Sequence, residues 1–295
     1  MQNATPAALA VLVLELAPAA AFGLAGEKIA QICARWPSAL RTFLPVVCVL
    51  PYILISASQH MFSWRWCALY AVLPVAIAWL LGQAVVADPE QRGNWRDAII
   101  LLTLGIVVDL RWFEPAWPNG LAGLGKLLLV DAALYGFVAI RQLRGTGFDF
   151  RFRWRDCWSD WKTGLRELVL FTPLVLGLGL ALNFLQPHRH PLGLSMIPTW
   201  IYIFIFIAVP EELFFRAWVQ NLLERRVGRR AALAITAVLF GLSHFNKRSA
   251  HFNWRYVLLA SIAGIFYGRA WREQRRVPAS AITHASVDAI WSFWF

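Results

Sequence analysis

The sequence predicts an all-α fold, a polytopic integral membrane helical bundle of about ten transmembrane helices (about 8–10), and three observations lead there. Hydrophobic residues fill 59% of the 295 positions and charged residues only 15%, against about 25% charged in a soluble domain. The mean hydropathy is +0.53. The apolar residues also fall into runs close to the roughly 20 residues that cross a bilayer.

In chain order the runs are 6–25, 42–58, 66–87, 97–113, 121–142, 165–186, 196–223, 231–246, 255–271 and 278–294. The first lacks a basic leader and carries Glu15, so it reads as a membrane helix and not a cleaved signal peptide. The net charge of +11 sits between runs and not along one polar face. That is the mark of positive-inside topology, and it argues against a nucleic-acid partner. Segments 143–164, 224–230 and 269–277 hold most of these arginines, which predicts a cytoplasmic side for them and both termini outside. The loops expected opposite them hold Arg189, and Lys247 with Arg248. Tryptophans mostly flank the runs, as an aromatic belt does. From Phe148 to Arg155 aromatic and charged residues alternate, which suggests a short strand or an extended interfacial segment. The cysteines Cys33, Cys48, Cys67 and Cys157 form no CxxC and read as free thiols. The implied localisation is multi-pass, in the cell inner (plasma) membrane, with the lipid bilayer as a partner.

Ionisable residues inside apolar helices are costly and mark function by default. Three clusters qualify. Pro210-Glu211-Glu212-Leu213-Phe214-Phe215-Arg216 sets two glutamates and an arginine in an apolar run; Phe240 precedes His244 by four; His284 precedes Asp288 by four. Residues four apart share a helix face, so Glu212 pairs with Arg216, and His284 and Asp288 address one place. Adjacent residues point about 100° apart, which leaves Glu211 facing elsewhere. Pro210 removes a backbone donor and predicts a kink or an unwound turn. At 1.5 Å per residue the four polar groups lie roughly 12–21 Å from the nearest basic segments, a comparable depth. Alone, each cluster also fits a structural role: a buried ion pair, an interfacial histidine, or a helix–helix hydrogen bond. Gly264 and Gly268 form a GxxxG, read as packing. Glu15, Asp109, Lys126 and Asp131 lie in or near spans and are assigned no chemistry.

The three motifs resemble those of the CAAX-protease and bacteriocin-processing (CPBP) family of glutamic-type intramembrane peptidases. Its pattern is EExxxR, then FxxxH, then HxxxN or HxxxD two helices later, matched here by Glu211, Glu212, Arg216, Phe240, His244, His284 and Asp288. The resemblance covers 165–295. It implies an intramembrane endopeptidase core there, after N-terminal transmembrane helices over 1–145 and a cytoplasmic interfacial loop over 146–164. It further implies that Glu211 and His244 activate a water and that His284 stabilises the oxyanion, with Glu212, Arg216 and Phe240 in support. The substrate class implied is a membrane-associated protein or peptide.

Asp288 departs from the amide of the family pattern, because an ionised carboxylate accepts hydrogen bonds but donates none. It must be protonated, orient His284, or bind a metal. Glu211, His244, His284 and Asp288 are a zinc set by ligand type; with no HExxH, the preferred reading has no cofactor. Two other functions stay open. One is a proton- or cation-coupled transporter, against which no inverted repeat is visible. The other is a catalytically inactive immunity or scaffold member of the family.

Overall fold

The computed structural model describes residues 5–188, 193–247 and 251–295; Arg189 and Arg248 therefore lie outside the described residues. It is all-α, and no strand occurs among the described residues. The chain divides into two compact units, Met1–Arg144 and Gly145–Phe295.

The N-terminal unit contains α1 (Pro6–Ala34), α2 (Ser38–Ser58), α3 (Trp64–Ala87), α4 (Trp95–Asp109) and α5 (Ala122–Ile140). Thr5 caps α1 by accepting from the Ala8 amide at 3.1 Å, with Pro6 in the first turn, where its missing N–H costs nothing. Asn94 and Asp97 form a reciprocal capping box that starts α4. The end of the unit is tied by Arg141, 1% exposed, which reaches Asp88 at 2.6 Å and Asp97 at 3.0 Å.

The C-terminal unit contains α6 (Trp154–Ala181), α7 (Met196–Leu242), α8 (Trp254–Gln274) and α9 (Val277–Trp294). The long α7 folds back on itself. Its break is Gly228, at φ +79° and ψ 167°, a conformation that L side chains rarely adopt. Phe215 and Phe240 on the two arms then meet with ring centroids 5.0 Å apart. Helix α8 lies against the second arm: a Cβ on Gly264 would stand 3.0 Å from Ala237 Cα. Helix α9 packs on α6, α8 and the first arm of α7.

The expected count of about ten transmembrane helices is too high. Among the described residues, six helices are long and apolar enough to cross a membrane: α1, α2, α3, α5, α6 and α7. Run 97–113 becomes α4, whose 15 residues reach only about 22 Å against a hydrocarbon core of about 30 Å. Runs 196–223 and 231–246 are the arms of one helical stretch, α7. Runs 255–271 and 278–294 are helices but not candidate spans. Helix α8 carries Arg255, Arg269, Arg272 and Glu273, and α9 buries Ser280, Thr283 and His284 against protein. Covered by other helices, α9 keeps polar side chains that lipid would not tolerate.

The alternating stretch forms no strand, and α6 starts at Trp154. Asp149 instead gathers Arg151 and Arg153, each at 2.8 Å. Partial burial pushes its carboxyl up, but bonds from Arg151 and the charge of Arg153 outweigh that and hold it below the usual carboxylate range.

Candidate active site

The first arm of α7 is not a regular α-helix. Two π-helical stretches, Phe204–Ala208 and Leu213–Gln220, flank the single α-helical turn Val209–Glu212. Pro210, which has no N–H to give, stands at the head of that turn. Widened turns of this kind re-aim side chains and recur at functional sites. Here they present both glutamates to one ring.

That ring is His284. Its Nδ1 lies 2.9 Å from Glu212 Oε1. On the other side, Nε2 lies 3.8 Å from Glu211 Oε2 and 3.6 Å from Asp288 Oδ2. The 100° between adjacent glutamates is thus spanned by the imidazole, whose two nitrogens point to opposite sides. Glu212 is fully buried, and its second oxygen, Oε2, faces Arg216 Nε at 3.0 Å. Arg216 is also fully buried, with its guanidinium 5.1 Å from the centroid of Phe240, 5.8 Å from that of Phe215 and 5.9 Å from that of Tyr267. Ring faces supply part of the electrostatic environment that water would give a surface arginine. Glu212 therefore joins the arginine to the imidazole, a role its spacing from Arg216 did not reveal.

His244 stands at the end of the second arm and is 7% exposed. Its Nδ1 lies 2.8 Å from the Phe240 carbonyl, so Nδ1–H donates there and Nε2 keeps its lone pair. Phe240 is shared, with its ring centroid 4.9 Å from His244 and 5.6 Å from His284. Both histidines and Asp288 line one cavity of about 90 Å³, whose remaining wall includes Phe171, Val175, Phe184 and Trp291. A single water needs about 10–15 Å³ by such a measure, so several waters or an apolar side chain fit. Glu211 and Asp288 keep 28% and 30% of their side-chain surface exposed, unlike Glu212. Two carboxylates are thus reachable and one is sealed.

Tyr267 escaped the sequence reading. It stacks on His284 with centroids 4.5 Å apart and planes 16° apart. The only signal for it was its place beside Gly268 in the glycine-containing helix, which the sequence reading took for packing alone. Tyr256, against His244 at 4.8 Å, carried no signal. Among the described residues no group of three or more His, Cys, Asp and Glu side chains has the geometry to hold a metal ion.

Residues 193–290 match the family model described as type II CAAX prenyl endopeptidase Rce1-like. The likeness to this peptidase-associated family is confined to that segment. The Rce1-like segment contains Glu211, Glu212, Arg216, Phe240, His244, His284 and Asp288, while the cavity wall from α6 lies ahead of it. No curated protein and no solved structure gives a match.

Proposed function

We propose that the protein is an intramembrane endopeptidase of the CAAX/CPBP type that cleaves a membrane-associated protein or peptide with a glutamate- and histidine-activated water. The observation that carries this reading is the approach of two carboxylates, Glu211 and Asp288, to within 3.8 and 3.6 Å of His284 Nε2, with His284, Asp288 and His244 lining one largely apolar cavity. In this scheme Glu211 takes a proton from a water held with His244 Nε2, and the resulting hydroxide attacks a peptide carbonyl. The charge that develops on that carbonyl oxygen is met by His284 Nε2–H, a donor aimed at the transition state and not at the ground state. Glu211 then returns its proton to the leaving amine.

Each neighbour has a part. Glu212 accepts from His284 Nδ1–H, which fixes the ring and favours its cationic form. Arg216 holds Glu212 in turn. Asp288, 3.6 Å from Nε2, orients the His284 ring and is not the oxyanion donor in this scheme. The wall of the cavity is largely apolar, a setting in which these dipoles count for more than in bulk water.

The test is a comparison of membrane proteomes from cells carrying the wild-type chain and Glu211→Gln. Unprocessed precursors should accumulate with the variant and vanish on complementation. Identical proteomes, with the variant present at wild-type level, would end the proposal. The zinc alternative uses the same four side chains and is separated below.

A further inference from the structure

The activation of a water does not by itself require the cavity of about 90 Å³ beside His244, His284 and Asp288. An unfilled apolar void forfeits packing contacts along its whole lining. A chain that keeps one against these three side chains has a use for the space.

The part of the wall that comes from α6 and the turn after it is apolar and fixed. Val175 stands on α6, and Phe184 and Leu185 follow its end. Thr172, the polar residue that α6 puts in the wall, donates its hydroxyl to the Leu168 carbonyl at 2.7 Å, inside its own helix. The amides of Phe184 and Leu185 both donate to the Gly179 carbonyl, at 2.9 and 3.1 Å, which folds the turn back on α6. Gly179 makes room for it, since a Cβ there would stand 2.6 Å from Leu185 Cδ1. The Phe184 ring then lies 5.4 Å from Tyr256 and 5.5 Å from Trp291, and Tyr256 in turn lies 4.8 Å from His244. A row of ring contacts therefore joins this wall to the chemistry. Val175, Phe184, Leu185 and Trp291 all fall outside the Rce1-like segment, so this side of the cavity is shaped by residues that the likeness does not cover.

We propose that the cavity is a specificity subsite that takes one aliphatic side chain, of valine, leucine or isoleucine size, from a residue next to the scissile bond. The inference rests on the peptidase reading above. A peptide carbonyl held at His284 Nε2 sets its neighbouring side chains at the cavity that His284 lines. Waters are poorer occupants, because each needs about 2–4 polar partners and the α6 wall supplies none. Size excludes the larger apolar groups. A cavity that holds benzene measures about 150 Å³, so an aromatic side chain is too large here, and the hydrocarbon of a lipid modification is longer still.

Peptides from a digested membrane proteome, incubated with the purified full-length protein, test the subsite. Mass spectrometry reads the residues on each side of every bond that the wild type cuts and Glu211→Gln does not. Those bonds should carry valine, leucine or isoleucine on one side, favoured by roughly tenfold or more over phenylalanine and tryptophan. Phe184→Ala, which enlarges the cavity, should admit phenylalanine and tyrosine at that position. Val175→Phe, which fills it, should shift the preference to alanine and glycine, and it is read alone if Phe184→Ala does not fold. Cuts with no side-chain preference, or a preference that neither variant moves, overturn the subsite and leave the peptidase standing. The absence of any Glu211-dependent cut removes both together.

Discussion

Glu211 and Glu212 are adjacent and chemically identical, yet their surroundings predict different phenotypes. Glu211 keeps 28% of its side-chain surface exposed and faces His284 Nε2, whereas Glu212 is sealed between Arg216 and His284 Nδ1. Glu211→Gln should therefore abolish cleavage and leave the melting temperature alone. Glu212→Gln turns an amide donor toward either a guanidinium or an imidazole N–H, so it should lower stability and activity together. Thermal melts run beside a cleavage assay decide; full stability with no activity in Glu212→Gln, and retained activity in Glu211→Gln, would reverse the assignment. Arg216→Ala goes further, because it strands Glu212 where no water reaches. Breaking a buried pair this way costs about 3–5 kcal/mol, so little folded protein should be recovered. Asp288→Asn separates the two chemistries for water activation. An amide can donate to an oxyanion but is a poor metal ligand, so activity that survives both this change and exhaustive chelation supports the metal-free scheme. Activity lost on chelation and restored by zinc would favour the metal site.

At the scale of the helix, small residues decide which side chains meet. Gly264 lets α8 approach the second arm of α7, and Tyr267 rides on the same helix to reach His284. Gly264→Val should force the helices apart, removing the stack and lowering both stability and activity. Gly177→Ala, where an added Cβ meets nothing within 4 Å, is the control that should leave both unchanged. Comparative melting curves and a cleavage assay check the pair. These contacts also mark the limit of what the amino-acid order reveals. Spacing of four was enough to set Glu212 against Arg216 and His284 near Asp288, because helical period alone brings such residues to one face. The bond between Glu212 and His284 crosses 72 positions and depends on how α9 docks, which no local pattern encodes. The same holds for the span count. Runs of apolar residues located the helices, but whether a helix meets lipid depends on its neighbours. The polar residues Ser280, Thr283 and His284 of α9 are tolerable because protein, not lipid, covers them.

In the C-terminal unit the arginines around Gly228 and after α8 gather at one end, and the ties between segments show it. Arg275, just after α8, bonds Glu224 beside the Gly228 break of α7, and Arg272 donates to the Arg229 carbonyl at 3.2 Å. Trp271 Nε1 donates to the Thr146 carbonyl at 3.0 Å, Val277 N to the Gly147 carbonyl at 2.9 Å, and Arg276 reaches Asp160 at 2.9 Å. The turn around Gly228, the α8–α9 connection and the segment after Gly145 are therefore one surface. Positive charge close to helix ends is retained on the cytoplasmic side during insertion, because moving it across the membrane is unfavourable. With six helices long and apolar enough to cross a membrane, that surface should face the cytoplasm. A cysteine at position 229, in a background where Cys33, Cys48, Cys67 and Cys157 are replaced, reads the side directly. A membrane-impermeant maleimide should label it in inverted vesicles and not in intact cells. Because the three segments share one surface, a second cysteine at position 274 must give the same answer. Labelling of both from outside would invert the orientation, and opposite answers at the two positions would contradict the fold of the C-terminal unit itself.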